Sequence, residues 1–222
     1  GNHAVQHSGV TDMALTDHRP APVFDRKRRS IQTEILDDAV PAAALADILR
    51  DLAPFNGLMQ GHLPVLRWLA RSFKSVSLDR PLTLLDVGCG YGDLLRAIRI
   101  WSRRHGQSVR LIGVDLNPEV IEVAHTVTPA ADEIEYHAAD VFDFVPPMPV
   151  DLVVTSLVAH HLSDEMIVRF LRWMEETASR GWMIYDLQRS IVPFYFIAMA
   201  GPLLRLHPVV VYDGRVSVGR SL

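Results

Sequence analysis

The feature that most constrains this chain is the segment Leu84-Leu85-Asp86-Val87-Gly88-Cys89-Gly90-Tyr91-Gly92-Asp93. A short apolar run passes directly into alternating glycines, and an amphipathic run follows. A continuous apolar run of this length fits a strand buried on both faces. The stretch from Asp93 to Arg104 has helical periodicity. Glycines between such elements admit backbone of positive φ and let a ligand approach the main chain closely. The helix start offers unpaired N–H groups and the positive end of its dipole. Open parallel sheets bind ligands at the carboxyl ends of their strands, so a site is expected at this turn.

The pattern repeats downstream. Val109–Val114 reads as a strand, and Pro118–Val127 as a helix with Asn117 as N-cap. Ile134–Ala138 is a weak strand and Val150–Thr155 a strong apolar one. Ser163 with Met166 marks a cap before a helix running to Ala178, and Gly181–Tyr185 is a further strand. Strands alternating with helices of this length predict βαβ units and a doubly wound, mainly parallel α/β sheet.

The flanks are less regular. Residues 1–22 are polar and closed by Pro20 and Pro22, which predicts a flexible arm. Residues 23–81 predict a helical N-terminal cap. Ile31, Ile35 and Leu36 recur at helical spacing, Pro41 opens a second helix over Ala42–Leu52, and Pro64 opens a third over Val65–Phe73. Residues 82–222 are assigned to the sheet domain. At the far end, Val209–Tyr212 and Arg215–Val218 flank Asp213-Gly214, which predicts a small hairpin. Either that hairpin completes the sheet in reduced form, or the C-terminal strands are incomplete because the chain is truncated. The balance leans to truncation.

With 49% hydrophobic and 22% charged residues, the 222-residue chain is neither disordered nor a fibrous repeat. Its net charge of -4 disfavours a general nucleic-acid binder. The single cysteine, Cys89, leaves no internal disulfide and no cysteine metal cluster, which fits a reducing, cytoplasmic setting. The charge-free stretch Ser190–Leu204 is broken by Pro193, Gly201 and Pro202, and it falls short of the roughly 20 residues that span a bilayer. Three readings of it stay open: a helix packed after the fifth strand, a cover for an apolar acceptor, or weak contact with a membrane surface. The basic run Arg26-Lys27-Arg28-Arg29 is read as a solvated helix start, with anionic lipid or nucleic acid as the alternative.

Three carboxylates surround the glycine turn. Asp86 lies within it, Asp115 ends the next strand, and Asp140 follows the third in Ala139-Asp140-Val141. A carboxylate at Asp115 can accept from both hydroxyls of a ribose. An acceptor at Asp140 can take an exocyclic adenine amine. Three carboxylates repel a pyrophosphate and suit a ligand carrying an ammonium and a sulfonium.

Together LLDVGCGYGD, VDLNP, AADV, VDLVVTSLVAHHLSDE and WMIYDL resemble the class I S-adenosylmethionine-dependent methyltransferases over about residues 82–187. Within them the chain looks most similar to the small-molecule branch of ubiquinone/menaquinone-type enzymes. The DLAPFNGLMQGH segment with the N-terminal helices also looks like methyltransferases found beside polyketide-type biosynthetic genes. The resemblance implies a cofactor site. Gly88, Gly90 and Gly92, with Cys89 among them, would shape the loop under the methionine part, and Asp86 would anchor its amino group. Asp115 would hold the ribose and Leu116 would pack on the adenine. Asp140 would bond the adenine amine, with the Val141 backbone beside the ring. Ser156 and Leu157 would line the methionine end and the mouth of the acceptor site.

The implied reaction is methyl transfer from S-adenosylmethionine, leaving S-adenosylhomocysteine, to a small apolar or aromatic acceptor, with O- or C-methylation favoured. The acceptor pocket is expected near Phe55-Asn56-Gly57 and residues 191–204. No base stands near Cys89, so a packed loop residue is expected there rather than a nucleophile. His160 and His161 are adjacent and cannot form an i,i+4 metal pair, and no metal site is expected. One of them is read as packed and one as ordering the loop, with His161 the alternative choice for a general base. Two rival functions stand beside this one. A nicotinamide-dependent oxidoreductase would want its third glycine at Asp93, and a non-catalytic cofactor-binding adapter would keep the site without the chemistry. The oligomeric state, including a homodimer, is left open.

Overall fold

The computed structural model describes residues 19–35, 62–74, 80–204 and 206–221. Most of the arm, the helix expected over 42–52 and the Phe55-Asn56-Gly57 segment lie outside these residues. The chain divides into two compact units. One is Ala53–Asp186, and the other combines Gly1–Leu52 with Leu187–Leu222.

The first unit begins with α1 (Leu63–Lys74) and continues through β1 (Leu82–Val87), α2 (Asp93–Arg104), β2 (Val109–Asp115), α3 (Pro118–Val127) and β3 (Ile134–Ala138). It ends with β4 (Val150–Ser156), α4 (Asp164–Thr177) and β5 (Ala178–Tyr185). The five strands are all parallel and ordered β3-β2-β1-β4-β5. Central β1 is buried along its whole length, polar Thr83 and Asp86 included. This explains its predominantly apolar sequence, because both of its faces are covered.

Alternation along β1 divides the core. Leu82 and Leu84 pack with Leu111, Leu152 and Val154 against Val65 and Leu69 of α1, Leu95 and Ile98 of α2, and Ile121 and Ala124 of α3. Leu85 and Val87 pack with Ile112, Val114 and Val153 against Phe170 and Met174 of α4. The connections after β1 and β2 therefore wind over one face, and the one after β4 over the other. The winding reverses between β1 and β4, and such a switch point opens a crevice at the carboxyl edge. Two expected caps form here. The Asn117 side chain accepts from Glu119 N and Val120 N, and Ser163 accepts from Met166 N.

At the opposite edge, Asp151 anchors the start of β4. It takes both nitrogens of the Arg80 fork at 2.6 and 2.8 Å, the Thr83 amide at 2.8 Å and Arg180 Nε at 3.3 Å. Burial pushes this carboxyl up, but those hydrogen bonds and the Arg80 charge outweigh it, so it titrates below the ordinary carboxylate range.

The second unit corrects two expectations. Residues 209–218, expected as a hairpin, lie within helix α6 (Pro208–Arg220), which follows helix α5 (Ile191–Leu203). No sixth or seventh strand occurs among the described residues. Pro208 occupies the first turn, and the His207 side chain accepts from Val209 N. Val209, Val210, Asp213, Val216 and Ser217 are buried, at helical rather than alternating spacing. The preference of valine for strands spans only ~1 kcal/mol, and packing overrides it. Residues 23–35, expected to be helical, are irregular. Their backbone donors find distant partners instead. Ser30 N bonds Gly219 O at 2.8 Å, Ile35 N bonds Asp213 Oδ1 at 2.6 Å, and Val23 N bonds the Gln32 side chain at 3.0 Å. Ile31, read as part of an apolar stripe, is 97% exposed.

Candidate cofactor site

The glycine turn follows β1 at the switch point. Gly88 N and Cys89 N both donate to Val114 O, at 2.8 and 3.1 Å, and Gly92 N closes onto Cys89 O at 2.9 Å. The glycines serve different ends. A Cβ on Gly88 would stand 2.3 Å from Val158 Cγ2, and one on Gly92 would stand 2.1 Å from the Tyr136 hydroxyl. Those two make room for protein. Gly90, at φ 52, has nothing within 4 Å of where its Cβ would be. It leaves open space at the loop crest, where a ligand can meet bare backbone.

Asp115 ties this loop to β2. Its Oδ2 accepts from Gly90 N and its Oδ1 from Asn117 N, both at 2.9 Å. Beside it Leu116 is 74% exposed, an apolar surface adjoining a carboxylate. Asp140 is exposed and caps its own turn, accepting from Phe142 N at 2.9 Å, with Val141 half-buried next to it.

Asp86 is buried at the end of β1, and its Oδ1 has no hydrogen-bond partner among the described residues. Burial pushes this carboxyl well above the ordinary carboxylate range, and the charges of Asp93 and Asp115 push it further the same way. Such a group is satisfied by a cation brought to it, an ammonium being one. Cys89 is buried. Its thiol is pushed far up by burial and by Asp86 and Asp115, so it stays protonated and is no nucleophile.

At the end of β4, Ser156 and Leu157 are half-buried. Leu157 takes φ 61, a left-handed conformation rare for a branched residue, while its N–H bonds Tyr185 O at 2.8 Å. Strain of roughly 1–3 kcal/mol at such positions clusters at ligand sites. His160 is buried. Its ring Nδ1 lies 2.6 Å from Asp186 Oδ1 and its amide 3.0 Å from Oδ2. His161 is half-buried, with its ring 4.3 Å from that of His160. The two histidines thus differ in burial, His160 being enclosed and His161 only half-buried. Sequence reasoning assigned no role to Asp186. The signal was present, since acidic Asp186 ends the strand next to the one that His160 follows.

Residues 84–181 match the family model for a methyltransferase domain. Over that segment the chain is similar to a methyltransferase domain. Relatives include a trans-aconitate 2-methyltransferase of Azoarcus sp. strain BH72, 33% identical over 89 residues, which are 40% of this chain and 32% of that protein. Another of the same name from Mycobacterium tuberculosis strain H37Ra is 29% identical over 112 residues, which are 50% of this chain and 39% of that protein. The chain thus spans about a third to two-fifths of the length of these curated relatives. Among solved structures, the plantazolicin methyltransferase BpumL, in complex with a pentazolic desmethylPZN analog and SAH, superposes with a TM-score of 0.55. It is 18% identical and covers 78% of this chain and 63% of its own. That likeness establishes the fold.

The residues around the glycine turn fit S-adenosylmethionine. The unpartnered buried oxygen of Asp86 suits an ammonium, the open crest at Gly90 leaves ligand space, and exposed Leu116 beside Asp115 suits a flat apolar ring above ribose hydroxyls. A pyrophosphate in the same place would face Asp86, Asp93 and Asp115.

Proposed function

We propose that this chain transfers the methyl group of S-adenosylmethionine to a small, apolar or aromatic acceptor, at oxygen or carbon. The observation that carries this is the buried Asp86 carboxyl with its unpartnered oxygen beneath the glycine turn. The match of residues 84–181 to a methyltransferase domain supports it. The bound cofactor supplies an activated methyl on a sulfonium. Asp86 anchors its amino group, the backbone around Gly90 lies beneath it, and Asp115 holds the ribose. Leu116, Asp140 and Val141 take the adenine.

The chain contributes chiefly alignment. Holding acceptor and methyl in line is worth roughly 7–11 kcal/mol. Ser156 and strained Leu157 line the methionine end and the acceptor mouth. His161 takes the proton of a phenol or enol acceptor, while Asp186 holds His160 and thereby the loop carrying both.

Calorimetric titration tests the first half: S-adenosylhomocysteine binds and NADH does not. Binding of NADH in its place would return the oxidoreductase reading. Incubation with labelled methyl donor and a panel of phenols, enols and carboxylic acids tests the second half. Carboxylic acids belong in it because the matched relatives are named for trans-aconitate. Labelling confined to a polar carboxylate would overturn the apolar acceptor.

A further inference from the structure

Helix α5 is apolar on every side. Its sequence IVPFYFIAMAGPL contains no charge. The inner face is used: Phe194, Ile197 and Gly201 are buried, and a Cβ on Gly201 would stand 2.4 Å from Val211 Cγ2 of α6. The outer face is equally apolar and faces water. Ile191 is 55% exposed, Val192 71%, Tyr195 53%, Phe196 50%, Met199 77% and Leu203 83%. These positions recur at helical spacing and form one stripe. A surface helix of a globular protein normally carries polar residues there, and contiguous apolar exposure of this kind marks a contact surface.

Positive charge adjoins the stripe. α5 and α6 run antiparallel, since Gly201 meets Val211, Ile197 lies 3.4 Å from the Cβ position of Gly214, and the Arg215 guanidinium sits 4.5 Å over the Phe194 ring. The end of α6 therefore lies beside the start of α5. That end holds the basic run, because Arg29 Nε donates to Arg220 O at 2.7 Å and Ser30 N to Gly219 O at 2.8 Å. Phe24 also packs on Phe194, with ring centroids 5.3 Å apart. Arg26, Lys27 and Arg28 are exposed. Against them stands Asp25, whose carboxylate accepts from Lys27 N and Arg28 N.

We infer that the outer face of α5, together with Arg26, Lys27 and Arg28, docks on the surface of an anionic phospholipid bilayer. The helix would lie in the plane of the interface. At 13 residues it is about 20 Å long, short of the ~30 Å of hydrocarbon. No described helix is long and apolar enough to cross a membrane. A stripe without a single charge, its one hydroxyl on the interface-favouring Tyr195, ending at a basic cluster, matches acyl chains under acidic head groups. A protein partner would call for a polar rim around the patch.

Flotation of the full chain with vesicles tests this. It should bind phosphatidylcholine mixed with phosphatidylglycerol, bind pure phosphatidylcholine weakly, and release as salt rises. Met199→Glu with Leu203→Glu should abolish binding to both vesicles with an unchanged melting curve, since both side chains face solvent. Arg26→Gln, Lys27→Gln and Arg28→Gln together should weaken binding to the anionic vesicles by about fivefold per charge and leave the weak neutral binding as it was. If the wild type stays unbound on anionic vesicles, or the glutamate variant floats like it, the inference is wrong. Retained anionic preference in the glutamine variant overturns it as well, even if the glutamate variant misfolds. A wild-type dimer that the glutamate variant dissociates, seen by sedimentation velocity, would assign the face to a second copy instead.

Discussion

Replacing Asp115 with alanine probes the ribose end of the site and the loop at once. The carboxylate holds Gly90 N–H and Asn117 N–H at 2.9 Å each, and in the proposed binding mode its remaining lone pairs take the ribose. A hydrogen bond to a charged group nets about 1.5–3 kcal/mol. Asp115 is half-buried, so water can replace part of what is lost. A total of about 1.5–3 kcal/mol of cofactor affinity is therefore expected, or roughly 10- to 150-fold in Kd. Two freed backbone donors should cost a further ~1–3 kcal/mol of stability. Asp115→Asn keeps the volume and one acceptor, and should fall between the wild type and the alanine variant on both counts. Titration with S-adenosylhomocysteine and chemical denaturation read the two effects separately. Asp115→Ala binding within about threefold of wild type, a loss of only ~0.7 kcal/mol, would refute the reasoning.

Other outcomes follow from the same geometry. Gly92→Ala should destabilise strongly, because its Cβ would enter the Tyr136 ring, whereas Gly90→Ala should cost only about 1–2 kcal/mol of conformational strain yet weaken S-adenosylhomocysteine binding. Melting curves and titration of the pair check this, and equal binding by Gly90→Ala and wild type would show that the crest carries no ligand. The Asp151 carboxyl is held below its ordinary range, so its contribution is complete above the unfolded value of about 3.9 and is lost as pH falls through the folded value. Thermal melts should thus show a stability drop in acid that Asp151→Asn flattens, while lowering the melting temperature at neutral pH. With a phenolic acceptor, His161→Gln should reduce turnover about 10²–10⁴-fold and leave S-adenosylhomocysteine affinity unchanged, measured by labelled methyl transfer and titration. A matching loss of affinity would put His161 in the cofactor site instead.

Much of the first unit is legible because its signals are local. The Leu84–Val87 run, the periodicity of Asp93–Arg104 and the Asn117 and Ser163 caps each need only neighbouring residues to act. The site is legible for a related reason. In a parallel sheet, strand-end residues such as Asp86 and Asp115 converge on the carboxyl edge whatever the details of packing. What stayed hidden there depends on contacts far apart in sequence. Gly92 owes its identity to Tyr136 and Gly88 to Val158, and the left-handed turn at Leu157 and the His160–Asp186 pairing arise only once β4 lies beside β5.

The chain by itself therefore determined a strand–glycine–helix turn, the alternation that builds a parallel sheet, and the chemistry of an acidic site suited to a cation. Tertiary structure decided the ends. Asp213-Gly214 between valines favours a hairpin in isolation, yet burial at helical spacing against α5 makes it a helix. Ile31 and Ile35 sit at helical spacing, yet bonds from Ser30 N to Gly219 O and from Ile35 N to the Asp213 side chain hold that segment out of any helix. Propensities there differ by about 1 kcal/mol or less per residue. Burying one side chain is worth roughly 1.5–3 kcal/mol, so the partner a segment meets outweighs what its own residues prefer.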